Sequence, residues 1–198
     1  MWLKRALALG LLATLGLYSR DQGREIPQPN GVIAPAEPRQ LNMAHQLSQR
    51  VVGYDMTPQA RFSLEARVLS RERYYLGREA KLAPIDLALG WGPMSSNDVL
   101  EHIDIRQRGR YYFWSSSKAI PRGKIARHSA NMHMIPSTEA IADELKRVRR
   151  GHLVELSGYL VDVRADDGWT WRTSKSRLDT GNGSCELVYV KHFRILES

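Results

Sequence analysis

Apolar and polar residues alternate over 62–68, with Phe62, Leu64, Ala66 and Val68 on one side and Ser63, Glu65 and Arg67 on the other. A period of two predicts a strand with one buried face. Over 81–91, Leu82, Ile85 and Leu89 fall at helical spacing, with Pro84 near a start and Gly90 at a stop, which predicts a short helix. Ser95, Ser96, Asn97 and Asp98 offer capping oxygens before Val99, and 103–114 returns to an extended, aromatic-rich character. The clearest helix is predicted after Pro136. Ser137 caps it, Ile141, Leu145 and Val148 form its apolar stripe, acids lead, bases trail and Gly151 ends it. Residues 153–163 are β-rich around Gly158, Asp166-Asp167-Gly168 is a turn signal, Trp169 and Trp171 share a strand face, and 185–195 is a final strand. Together these elements predict an α+β fold with a curved, mainly antiparallel sheet or small partly closed barrel and two or three helices.

The start of the chain has a different character. Lys4 and Arg5 precede an uncharged run, 6–18, in which only Thr14 and Tyr18 carry polar side-chain groups. This is the pattern of a targeting segment. Its 13 uncharged residues would span ~20 Å as a helix, less than the ~30 Å hydrocarbon core. Pro27, Pro29, Pro35 and Pro38 then break regular structure, predicting a spacer. The expected organisation is a signal anchor or signal peptide at 1–19, a Pro-rich linker at 20–40 and a globular α+β domain at 41–198. Residues 1–18 make the inner membrane an expected partner. The body is expected on its periplasmic side, or in the periplasm if the segment is cleaved.

Charge sharpens this picture. The chain carries 29 Lys+Arg against 21 Asp+Glu, and only five of the bases and three of the acids lie in the first 40 residues. Most of the surplus therefore belongs to the folded part and favours an anionic ligand or an acidic envelope partner. An exported address argues against nucleic acid. One cysteine excludes an internal disulfide.

Three groups of residues carry candidate chemistry. Arg106, Arg108 and Arg110 alternate on a predicted strand and should share one face, followed by Lys118, Arg122, Lys124 and Arg127 with no acid between. Tyr111, Tyr112, Phe113 and Trp114 beside them offer flat rings for stacking, so this stretch reads as an anion- or partner-binding surface. His128 and His133 stand five apart around Asn131, a spacing open to a shared transition metal, with Met132 and Met134 as soft neighbours. Otherwise the chain calls for no cofactor. Asp179 and Cys185 flank a glycine-rich polar loop, and a thiol nucleophile there would need a histidine brought up by the fold, since His192 is an odd number of strand residues away.

The segments Gly90-Trp91-Gly92-Pro93-Met94-Ser95, His128-Ser129-Ala130-Asn131-Met132-His133-Met134-Ile135-Pro136 and Asp179-Thr180-Gly181-Asn182-Gly183 are similar to those of a group of short-anchored bacterial envelope proteins. The resemblance covers roughly 60–196. It implies a bacterial source and an envelope location, and it carries over no catalytic residue. Residues 151–161 also resemble the first strand of OB-like small barrels. The leading expectation is a non-enzymatic envelope binding module acting through the 106–127 stretch. The rival expectation is an envelope hydrolase or metal-dependent enzyme using His128, His133, Asp179 and Cys185.

Overall fold

The computed structural model describes residues 24–44, 46–118, 120–176 and 184–196. The expected anchor at 1–19 lies outside them, and among the described residues no helix is long and apolar enough to cross a membrane. In chain order the elements are β1 (Arg39–Asn42), β2 (Gln49–Val51), β3 (Tyr54–Arg73), α1 (Arg78–Leu82) and β4 (Ile85–Gly90). A 3-10 turn (Gly92–Ser95) leads to α2 (Asn97–Leu100), the hairpin β5 (Ile103–Arg108) and β6 (Tyr111–Ser116), and α3 (Arg122–Arg127). The chain then runs through β7 (Ser129–Pro136), α4 (Glu139–Arg147), β8 (Leu153–Arg164), β9 (Thr170–Trp171) and β10 (Glu186–Leu196). The fold is α+β, with four α-helices among the described residues.

Its centre is a ring of five strands in the order β3-β4-β7-β10-β8, closed by pairing of β8 back onto β3. The β7–β10 pair is parallel and the other ring pairs are antiparallel. The 20-residue β3 serves two partners because it bends, with irregularities at Pro58/Ala60 and Val68/Ser70. At the first of these Gln59 is the extra residue, between Pro58 opposite Val161 and Ala60 opposite Leu160, and proline next to a bulge is one of the few places a sheet tolerates it.

The alternation read over 62–68 points Phe62, Leu64, Ala66 and Val68 into the ring. They meet Leu87 and Leu89 of β4, Met132 and Met134 of β7, Leu156 of β8 and Val188 of β10. Leu145 and Val148 from α4 and its C-terminus complete this core. Burying such side chains is worth about 1.5–3 kcal/mol each, so the ring interior supplies the main drive for closure.

Three expectations are corrected here. The helix predicted over 81–91 is mostly strand, because β4 is buried on both faces and loses the polar alternation that would have marked it. The α4 cap is Thr138, whose Oγ1 accepts from Ile141 N at 3.3 Å, rather than Ser137. The proline-rich segment does not run free between 25 and 34. Ile26 N donates to Arg150 O at 2.8 Å, Gly92 N donates to Ala34 O at 2.7 Å, and the amides of Ile33 and Ala34 converge on Ser95 Oγ. Glu25 reaches the buried Arg67 at 3.3 Å, a guanidinium that also donates to Asn97 Oδ1 and Ser95 O. Gly151, at φ +91°, admits this segment, since a Cβ there would lie 2.1 Å from Ile26 O.

Candidate binding face

Hairpin β5–β6 lies across the outside of the ring, and its strand alternation sorts its residues. Ile103, Ile105, Gln107, Tyr112 and Trp114 turn toward the ring, while Arg106, Arg108, Tyr111 and Phe113 turn to solvent. Gln107 Nε2 donates to Asn131 Oδ1 at 2.6 Å and Tyr112 Oη donates to Ser129 Oγ at 3.0 Å, tying the hairpin to β7. Burial raises the Tyr112 phenol to about 12, against the opposing pull of that bond to Ser129. The register pairs Arg106 with Phe113 and Arg108 with Tyr111. Two guanidinium groups and two rings therefore share one exposed surface, with Phe113 55% accessible and in ring contact with Tyr111.

Arg110 leaves that face, contrary to the expected trio. It occupies the hairpin turn at φ +71° and folds back against the ring. Its Nη1 donates to Asp86 Oδ1 at 2.6 Å and to Ala83 O at 2.8 Å, and its guanidinium stacks 3.7 Å from the centre of the Tyr74 ring. The Arg110 amide donates to Tyr74 Oη at 2.9 Å. Burial first, then the charge of Asp86, lifts the Tyr74 phenol to about 12. Asp86 itself has no exposed surface, and its Oδ2 has no hydrogen-bond partner among the described residues. Beside it, His133 Nδ1 lies 2.9 Å from Oδ1 without the alignment of a hydrogen bond, and the His133 ring packs 4.8 Å from that of Trp171.

Between the hairpin turn and β9 lies a concavity of about 580 Å³. Gly109, Arg110 and Tyr111 form one wall, Thr170, Trp171 and Arg172 the other, His133 and Cys185 line its depth, and Glu79 lies on its rim. The Cys185 thiol is 3.8 Å from Arg110 O, and Asn131 Nδ2 points to the sulfur at 3.6 Å. The volume suits a small ligand. Within this lining Arg110 meets two carboxylates, Asp86 at 2.6 Å and Glu79 at 3.9 Å.

The remaining candidates disperse. His128 Nδ1 lies 2.7 Å from Lys124 O and its ring packs beside Gly92, whereas His133 faces Asp86 and Trp171. The four extended steps from 129 to 133 cover about 13 Å, so the two imidazoles do not converge. Among the described residues no group of three or more His, Cys, Asp or Glu side chains could hold a metal. Asp179 lies outside the described residues. Lys118, Lys124 and Arg127 are exposed, and Arg122 sits 5.7 Å from the centre of the Trp114 ring. Arg106 pairs with Asp104 at 2.8 Å. The run expected as one basic stretch is thus split over the hairpin, its following loop and α3. Trp169 and Trp171 meet at 62°, which gives no flat two-ring platform.

Sequence reasoning missed Asp86, Tyr74 and Glu79. The one available signal was a single acid inside the apolar run 85–89. Comparison with family models, curated proteins and solved structures gives no match.

Proposed function

We propose that this chain is a non-enzymatic binding module of the bacterial envelope that takes an anionic ligand on the outer face of hairpin β5–β6 and the adjoining rim of the concavity. The observation that carries this reading is the pairing of Arg106 with Phe113 and Arg108 with Tyr111, which holds charge and flat apolar surface side by side in solvent. Isolated exposed rings need no explanation, but two in contact beside two guanidinium groups form a stacking and charge-pairing surface. Tyr111 also lines the concavity, so the two regions are continuous. Connectivity supports the reading by analogy. A long first strand, a helix between the third and fourth ring strands, and a parallel third–fifth pair are the features of an OB barrel, whose second and third strands and neighbouring loops receive ligands. In that arrangement β8 is the fourth strand rather than the first. The resemblance to short-anchored envelope proteins supports the location.

The test is retention of the full-length chain, in uncharged detergent, on a heparin matrix. Arg106→Ser with Arg108→Ser should elute at lower salt and with a shallower salt dependence. Tyr111→Ala with Phe113→Ala should weaken retention while leaving the salt slope unchanged. Unaltered elution of both variants would remove the proposal.

A catalytic second reading has one observation in its favour: His133 and Cys185 line the same concavity, with Asp86 2.9 Å from the imidazole. Alkylation of Cys185 by iodoacetamide measures it. A rate that falls sharply in His133→Gln supports an activated thiol, and an equal rate dismisses it.

A further inference from the structure

A second groove, of about 570 Å³, crosses the outside of the ring where β1, β3, β8 and β10 adjoin, and it shares no lining residue with the concavity. Arg39, Arg61 and Lys191 line it from three different strands, together with Ser63, Ser157 and Tyr159. The register brings them together: Arg39 lies opposite Ser63, Arg61 opposite Tyr159, and Ser63 opposite Ser157. Among the described residues none of the three cations has a carboxylate within ion-pair distance, and no acid lines the groove. Nearby arginines on the same sheet are compensated, Arg194 by Glu155 and Arg50 by Asp55 and Asp166.

Two backbone devices meet at this point. The β8–β10 register shifts between Val190 and His192, which makes Lys191 the extra residue of a bulge. Directly beneath it stands Gly158, where a Cβ would sit 2.0 Å from Tyr189 O and 3.1 Å from Lys191 N. Only glycine allows the bulged strand to approach so closely, and a bulge re-aims the side chain it carries. Here it gives the groove a third cation, with Lys191 Nζ 5.4 Å from the centre of the Tyr189 ring.

We propose that this groove binds a phosphate-bearing ligand. Planar guanidinium forks, an ammonium and neighbouring hydroxyls are the donor set that suits a phosphoryl group with several acceptor oxygens. Leu41, 68% exposed on the groove wall, provides an apolar flank for whatever carries the phosphate. A phospholipid headgroup and a soluble phosphate compound share this chemistry.

The experiment uses the full-length chain in uncharged detergent and titrates three probes by calorimetry: inorganic tripolyphosphate, dihexanoylphosphatidylglycerol and dihexanoylphosphatidylcholine. Saturable binding of either anionic probe, weakened about tenfold or more in Arg61→Gln with Lys191→Gln, is expected from the loss of two charge-assisted contacts. Preference for tripolyphosphate identifies a soluble source, and preference for the phosphatidylglycerol over the phosphatidylcholine identifies a headgroup. Arg61→Lys with Lys191→Arg keeps the charge and should retain most of the binding, separating lost contacts from lost structure. The proposal is overturned if neither anionic probe binds, or if the Gln variant binds as tightly as the native chain. The same titrations in an Arg106→Ser, Arg108→Ser background remove the anion site read on the hairpin, so that the loss caused there by Arg61→Gln with Lys191→Gln is the groove's alone and its failure is distinct from failure of the hairpin reading.

Discussion

The guanidinium of Arg110 lies 2.6 Å from a carboxylate oxygen of Asp86, a residue with no exposed surface, and this contact joins the tip of hairpin β5–β6 to the outside of the ring. Removing either partner strands the other. Arg110→Ala should therefore cost about 3–5 kcal/mol of unfolding free energy, because an unpaired buried carboxylate remains. Combining it with Asp86→Asn should recover part of that loss. Urea unfolding of the four members of the cycle checks this, and additive losses would show that the pair is not coupled.

His152 provides a pH-dependent contribution. Burial first, then the charges of Arg149 and Arg71, lowers its pKa below the usual 6.5, and Nδ1 accepts the Arg149 amide at 3.1 Å in the neutral form. A base whose folded pKa is depressed binds its proton more readily when unfolded. Its contribution to stability is then complete above pH 6.5 and is lost as pH falls toward the folded value. His152→Gln should flatten the stability profile over that acidic limb, read as unfolding midpoints in a pH series.

The cap of α4 distinguishes two adjacent hydroxyls. Thr138 accepts from Ile141 N, whereas Ser137 lies before the cap. Thr138→Ala should cost about 1 kcal/mol, and Ser137→Ala should stay within about 0.5 kcal/mol of the native chain. Equal losses in thermal unfolding would refute the assignment.

Val52 turns the β2–β3 hairpin at φ +50° with 72% of its surface exposed, and Gly53 follows at φ +82°. A β-branched residue is strained in the left-handed region, whereas Asn before Gly is favoured in such two-residue turns. Val52→Asn should raise stability by about 1 kcal/mol. A lower melting temperature would contradict that reading.

The strands over 62–68, 153–163 and 185–195 were legible in the residue order, as was the amphipathic helix α4, whereas the short strands β1 and β2 were not. Each legible element carries its own periodicity, a local property set by which side of the backbone meets water. β4 was not legible: its outer face is covered by the hairpin, and a strand dry on both sides reads like a buried helix. The candidate site divided in the same way. Arg106 and Arg108 share an exposed face, as strand alternation requires, but Arg110 sits in a turn where alternation stops applying and a buried acid 24 positions earlier attracts it.

What the sequence determined by itself is the set of local elements, the basic surplus and the lone cysteine, because propensity, period and charge depend on neighbours along the chain. Only the tertiary structure decided that Asp86 receives Arg110, that His133 and Cys185 line one concavity, and that Arg39, Arg61 and Lys191 share a groove. Those meetings are created by ring closure and by a bulge over Gly158, and strand register brings together residues with no relation in sequence spacing.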